Sequence, residues 1–264
     1  MALLVALLIP FAAILLLMIS MQTQLLFPTD AVAPAGPLPQ GAAQMQIRAS
    51  DGETLRGIYL PPAVEDDGPR TLVVGFGGNA WNAQDAAEYL HATFPEAHVV
   101  AFHYRGYSPS TGSPSARALI ADAPVIFDEA VKRVAPQKVL AVGFSIGSGV
   151  AASLADRVDG LILVTPFDSL KAVAGDLYPW LPVGPFFEHE IDTASFLGTS
   201  QVPVAILAAE RDEIISPART AALREQVPNL VFDRTIAASG HNDIYQREEF
   251  RAAMEEALDA VARD

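Results

Sequence analysis

Ser145, Asp212 and His241 are the residues whose types and order could carry nucleophilic catalysis. A serine hydroxyl attacks poorly at neutral pH, so it needs an adjacent base, and the base needs a carboxylate to fix its tautomer. Ser145 sits in Gly143-Phe144-Ser145-Ile146-Gly147, a G-x-S-x-G pattern. The preceding run Val139–Val142 is apolar and too short for a helix, and the stretch from Ile146 to Ala155 reads as Ala-rich helix. A serine at such a strand-to-helix turn projects its hydroxyl beyond the end of the sheet, and the glycines allow strand and helix to crowd against it.

Of five histidines, His241 alone lies in a Gly-flanked loop, Gly240-His241-Asn242-Asp243, between the last strand and the last helix. His91 reads as helical and His98 as a strand start, both structural. His189, between Glu188 and Glu190, reads as part of a solvated charged run. For the carboxylate, Asp212 follows the apolar run Val204–Leu207 and lies between Ser145 and His241 in the chain, with Glu210 and Asp168 as rivals. A tetrahedral intermediate also needs N–H donors. The amide of Ile146, directly after the serine, supplies one. The loop Gly77-Gly78-Asn79-Ala80-Trp81-Asn82 is the source expected for the second, from Asn79 with Gly78 as neighbour. A phosphate loop is the competing reading, but neither Gly-Lys-Ser/Thr nor G-x-G-x-x-G is present.

These residues must be held by a scaffold. Thr71–Phe76, His98–Phe102, Val139–Val142, Leu161–Val164 and Val204–Leu207 are short, wholly apolar runs. Helical stretches near Gln84–Thr93, Ala116–Val134 and Ile146–Ala155 separate them, with Pro124 expected to kink the second. Buried strands alternating with helices predict an α/β fold, a mostly parallel eight-stranded sheet with helices on both faces. Met45–Ala49 and Thr54–Leu60 alternate around Ser50-Asp51-Gly52-Glu53 and predict an antiparallel hairpin. Ala218–Gln226, Leu230–Thr235 and Arg247–Ala262 follow as helix, strand and amphipathic helix. Residues 166–200 break the rhythm. Their aromatic, breaker-rich centre, Pro179–Phe187, predicts a short cap over the active face after the sixth strand. Trp180 and Phe186 from this cap, with His103 and Tyr104 from the active face, are the expected pocket residues.

The chain has 264 residues, half of them apolar, enough for one domain with a large core. A net charge of −14, with only 17 Lys and Arg, argues against nucleic acid as a partner. The lack of cysteine excludes disulfides, a thiolate nucleophile and Cys-based metal sites. No metal and no organic cofactor are expected.

Ala2–Ile19 is apolar throughout, and no Lys or Arg occurs before Arg48. As helix these residues reach about 27 Å, close to a bilayer core of about 30 Å. A single-pass anchor over 1–21 is therefore expected, with a cleaved signal peptide and secretion as the alternative. Without flanking charges the sequence assigns no side to the catalytic domain. The Pro/Gly/Ala-rich segment 22–43 reads as a tether, and Gln24–Pro28 as an apolar knot within it. The globular domain is expected over 44–264.

Taken together, the motifs resemble those of the membrane-anchored α/β-hydrolase-domain proteins. Gly143–Gly147 is similar to their nucleophile elbow, Gly78-Asn79-Ala80 to their oxyanion loop, and Tyr104-Arg105-Gly106-Tyr107-Ser108 with Gly112 to their Tyr-Arg-Gly-Tyr loop. Asp212–Ile215 and Gly240–Asp243 are similar to their acid and base motifs. Gly77, His103 and Ser108-Pro109 depart from the pattern. The resemblance implies a serine hydrolase acting on ester or thioester bonds of a lipid-like or acylated small molecule. A peptidase of the same fold and a non-catalytic binding protein are the other readings.

Overall fold

The structure is a computed structural model that describes residues 2–64, 68–179 and 184–263, without the side chains of 2–12, 15 and 185. Eight strands are present: β1 (Ala43–Arg48), β2 (Thr54–Leu60), β3 (Thr71–Phe76), β4 (His98–Phe102), β5 (Lys138–Phe144), β6 (Gly160–Val164), β7 (Val204–Ala209) and β8 (Leu230–Ile236). They form one sheet in the order β1-β2-β4-β3-β5-β6-β7-β8. β1 and β2 make the antiparallel hairpin, β2 pairs antiparallel with β4, and every pairing from β4 to β8 is parallel.

The apolar runs are central strands because both their faces are covered. Leu72, Val74 and Phe76 of β3 pack in the core on one face of the sheet, whereas Val73 packs in the core on the other. The first face is covered by α3 (Ala116–Val134) and α4 (Ile146–Ala152), and the second by α2 (Ala83–Thr93) and α8 (Glu248–Ala262). Helix starts follow the capping chemistry: Asn82 accepts from the Asp85 N–H at 2.8 Å and Ser115 from the Ala118 N–H at 3.1 Å. α3 runs unbroken across Pro124. The remaining helices are α5 (Leu170–Leu177) and α6 (Thr193–Leu197), both between β6 and β7, and α7 (Pro217–Arg224).

The N-terminal region departs from the expectation of a free tether over 22–43. A helix, α1, covers Ala2–Leu26 and extends through the first part of the supposed tether. Its end is bound to the domain: Gln22 donates to the Phe186 carbonyl at 3.3 Å, and Phe27 is buried. Beyond it, Asn82 donates to the Ala33 carbonyl, and Gln84 to those of Gly36 and Pro37. Segment 22–43 is thus laid along the domain, because side chains of α2 and its cap supply partners for its backbone. The anchor expected over 1–21 falls largely on residues 1–12, whose side chains lie outside the described residues. Among the described residues, no helix is long and apolar enough to cross a membrane.

Candidate active site

Ser145, Asp212, His241 and Asn79 each lie in the segment that follows the carboxyl end of a strand, the end at which ligands bind in such sheets. Ser145 follows β5 directly and holds φ 51°, ψ −119°, a positive φ that an L-residue rarely adopts. Two glycines make this turn possible. A Cβ on Gly143 would collide with the Gly147 carbonyl, and one on Gly147 with the carbonyls of Phe76 and Gly77. The elbow therefore sits directly against the end of β3. Beneath it, Phe144 is fully buried in an aromatic cluster with Trp81, Tyr89 and Tyr245, ring centroids 5.1–5.9 Å from its own.

His241 lies between the serine and the aspartate. Its Nε2 is 3.0 Å from Ser145 Oγ, and its Nδ1 is 2.8 Å from Asp212 Oδ2 and 3.0 Å from Oδ1. With Nδ1 as donor to the carboxylate, Nε2 is left to accept from the serine hydroxyl. Asp212 is itself fixed by the Ile214 and Ile215 N–H groups, which donate to Oδ1 at 2.9 and 2.7 Å. Asp212 and His241 are both buried and Ser145 is half-buried, so water competes weakly with these contacts. The rivals are engaged elsewhere: Glu210 accepts from the Ala238 N–H at 2.7 Å, and Asp168 pairs with Arg219 at 3.3 Å. Asp243 ends up beside the base loop, where the Gly240 N–H and then Arg247 hold its carboxyl below the usual range.

The loop after β3 passes against the elbow, Gly78 lying beside Ser145. Three of its carbonyls are pinned. Tyr104 OH donates to Gly77 O at 2.8 Å, the Trp81 N–H to Gly78 O at 3.3 Å, and Tyr107 OH to Asn79 O at 2.7 Å. A peptide unit is planar, so fixing its carbonyl also fixes the direction of the N–H it carries. The Gly78 and Asn79 amides are thereby pre-set, and neither the Asn79 nor the Ile146 amide has an acceptor among the described residues. Burial pushes both tyrosine hydroxyls well above their usual pKa, so they stay donors.

Tyr104 and Tyr107 are held by the residue between them. Arg105, itself buried, forks onto Asp122 at 2.7 and 2.6 Å and also reaches Asp51 in the β1–β2 turn. Tyr104, expected in the substrate pocket, is buried with its hydroxyl on the Gly77 carbonyl. His103 is buried too and faces a separate depression with Arg56 and Gln84. Burial lowers its pKa to about 4. Phe186 does line the apolar cavity beside the site, while Trp180 lies outside the described residues.

Several contributors escaped sequence reading. Tyr107 and Arg105 were visible only as part of a motif. Glu213 accepts from the His241 N–H at 3.1 Å and so couples the acid and base loops. His189 is not solvated but buried, between Thr23 Oγ1 at 2.8 Å and the Ala116 N–H at 3.5 Å, with its ring edge-on to Phe27. Its acidic neighbours in the chain masked that environment. Among the described residues, no group of His, Asp or Glu side chains is arranged to hold a metal ion.

A family model described as the alpha/beta hydrolase fold matches residues 72–190. An uncharacterized protein of Mycobacterium tuberculosis is 30% identical over 232 residues, which cover 79% of this chain and 78% of that protein. Lysophosphatidylserine lipase ABHD12 of Danio rerio is 33% identical over 138 residues, which cover 45% of this chain and 36% of the lipase. The match thus spans about a third of that relative. Among solved structures, the Pyrococcus furiosus esterase Pf2001 aligns with a TM-score of 0.67 over 88% of this chain and 97% of its own, at 18% identity, a likeness of fold.

Proposed function

The chain belongs to the α/β-hydrolase superfamily, and on that premise we propose that it is a serine hydrolase cleaving carboxylic ester or thioester bonds of acylated small molecules. The observation that carries this reading is His241 standing 3.0 Å from Ser145 Oγ and 2.8 Å from Asp212 Oδ2. In the proposed reaction, Ser145 Oγ bonds to the acyl carbonyl carbon as its proton passes to His241 Nε2. The carbonyl electron pair moves onto oxygen, which the Asn79 and Ile146 amides stabilise, with Gly78 beside them. The bond from carbon to the leaving oxygen or sulfur then breaks, and His241 returns the proton to that atom. Water attacks the acyl-enzyme and gives its proton to His241. The second tetrahedral intermediate collapses as the bond from carbon to Ser145 Oγ breaks and His241 returns the proton to that oxygen, releasing the acid and the free serine. Asp212 keeps the imidazole in the working tautomer and stabilises its cation.

The acyl preference is supported by the cavity beside the site, whose lining is mostly apolar. A small-molecule substrate fits this arrangement. Membrane association through the N-terminal run also belongs to the proposal, supported by the uncharged apolar sequence of Ala2–Ile19. A fluorophosphonate probe should label the native protein, and Ser145→Ala should abolish labelling. The variant should also lower turnover of p-nitrophenyl esters by about 10³-fold or more. Persistent labelling of Ser145→Ala, or no labelling of the folded native protein, would refute the reading.

A further inference from the structure

Beside the triad lies a cavity of ≈ 260 Å³ that reaches the oxyanion loop at Asn79 and the acid loop at Ile214. One of its walls is α1, through Met18, Ile19, Leu25 and Leu26. The facing wall is the cap, through Val173 and Leu177 of α5 and through Phe186 and Phe187. Among the described residues no charged side chain lines it, so these offer nothing to a phosphate or an ammonium headgroup. Gln22, one of its few polar members, is already engaged, donating to the Phe186 carbonyl and accepting from the Glu188 N–H at 3.0 Å. Such a lining suits a saturated chain and penalises polar ligands.

The helix is also fastened to the site. Gln22 and Thr23 hold it to the cap through Phe186, Glu188 and His189. On the other side Asn79 Nδ2 donates to the Leu26 carbonyl at 3.4 Å, so the residue expected to stabilise the oxyanion touches the last turn of α1. Leu25, Leu177, Phe186 and Ile214 are exposed around the cavity, an apolar rim built from three separate segments. Contiguous exposed apolar surface of this kind marks contact with a lipid or an apolar partner.

Resting on the serine-hydrolase reading, we infer that the last turns of α1, Met18–Leu26, form one wall of the acyl-binding groove, in which a lipid acyl chain bound to Ser145 lies between α1 and α5. The N-terminal helix is thereby a determinant of chain-length selectivity.

The test uses the full-length protein in phosphatidylcholine nanodiscs and a dodecyl fluorophosphonate bearing a diazirine at the far end of its chain. After reaction and irradiation, peptide mapping should find Ser145 adducts cross-linked to residues 18–26. Ser145 adducts whose cross-links fall only outside 18–26 overturn the inference and leave the serine-hydrolase reading standing. Failure to label Ser145 overturns both. Independently, Ile19→Trp and Leu25→Trp should each lower the ratio of kcat/KM for p-nitrophenyl dodecanoate over butyrate at least tenfold. A ratio, unlike a rate, does not depend on the fraction of protein that folds. An unchanged ratio in both variants overturns the inference, provided the native protein turns over butyrate; if it does not, the parent reading falls with it.

Discussion

Ser145 holds its positive φ at a cost on the order of 1–3 kcal/mol. The surrounding contacts must offset that cost, and they aim the hydroxyl at His241 rather than into the sheet. In the proposed mechanism Asp212 has the narrower role of fixing the imidazole tautomer. Asp212→Asn keeps the shape but allows its amide to donate to Nδ1, which turns Nε2 into a donor; kcat should fall by about 10⁴-fold with the fold intact by circular dichroism. Tyr107 acts one step further back: the Asn79 carbonyl it holds belongs to the peptide that follows the Asn79 amide, so Tyr107 braces the loop rather than aiming that amide directly. Tyr107→Phe leaves that buried acceptor without its donor, worth about 1–3 kcal/mol. It should lower kcat about tenfold or more while changing KM little, because the loosened loop carries the Asn79 amide proposed to act in the transition state. An equal loss in KM alone would place Tyr107 in substrate binding instead.

The elements divide sharply in how legible they are. Strands buried on both faces, such as Thr71–Phe76 and His98–Phe102, read directly because an unbroken apolar run of that length has few other uses. Ser145 and Asp212 could be singled out because each stands just past the end of a buried run, and His241 because it lies in a Gly-flanked loop between the last strand and the last helix. The environments of His189 and of segment 22–43 could not be read. Gln22 meets Phe186 across 164 positions, and Thr23 meets His189 across 166, and no local pattern records such a pairing. The burial of Tyr104 is illegible for a related reason: its motif signals proximity to the site, not which backbone carbonyl the ring reaches. At the elbow, the demand on α4 is steric. Gly147→Ala forces a methyl into the backbone of Phe76 and Gly77 and should destabilise the protein by about 3 kcal/mol or abolish soluble expression. Urea unfolding compared with Ala151→Gly, a change without such a clash, checks it.

For the molecule as a whole, two buried histidines tie stability to pH. Burial lowers the pKa of both His103 and His189, His103 to about 4, with nearby Asp85 only partly opposing the shift. Below about pH 6.5 the unfolded chain takes up protons at these positions while the folded protein does not. Stability should therefore fall as pH drops from about 6.5 toward 4, by on the order of 3 kcal/mol for His103 alone. Urea midpoints measured across that range check the slope, and His103→Gln should flatten it.

The fastening of α1 to the cap also has a consequence for how the chain is made. The partners of Gln22 and Thr23 at Phe186, Glu188 and His189 are synthesised more than 160 residues after the helix itself. Throughout that interval Met18, Ile19 and Leu25 have no cap to face, and at typical rates of about 5–20 residues per second it lasts on the order of 10 s. A nascent apolar helix left uncovered for so long is an aggregation hazard, of the kind that a lipid surface or a chaperone relieves.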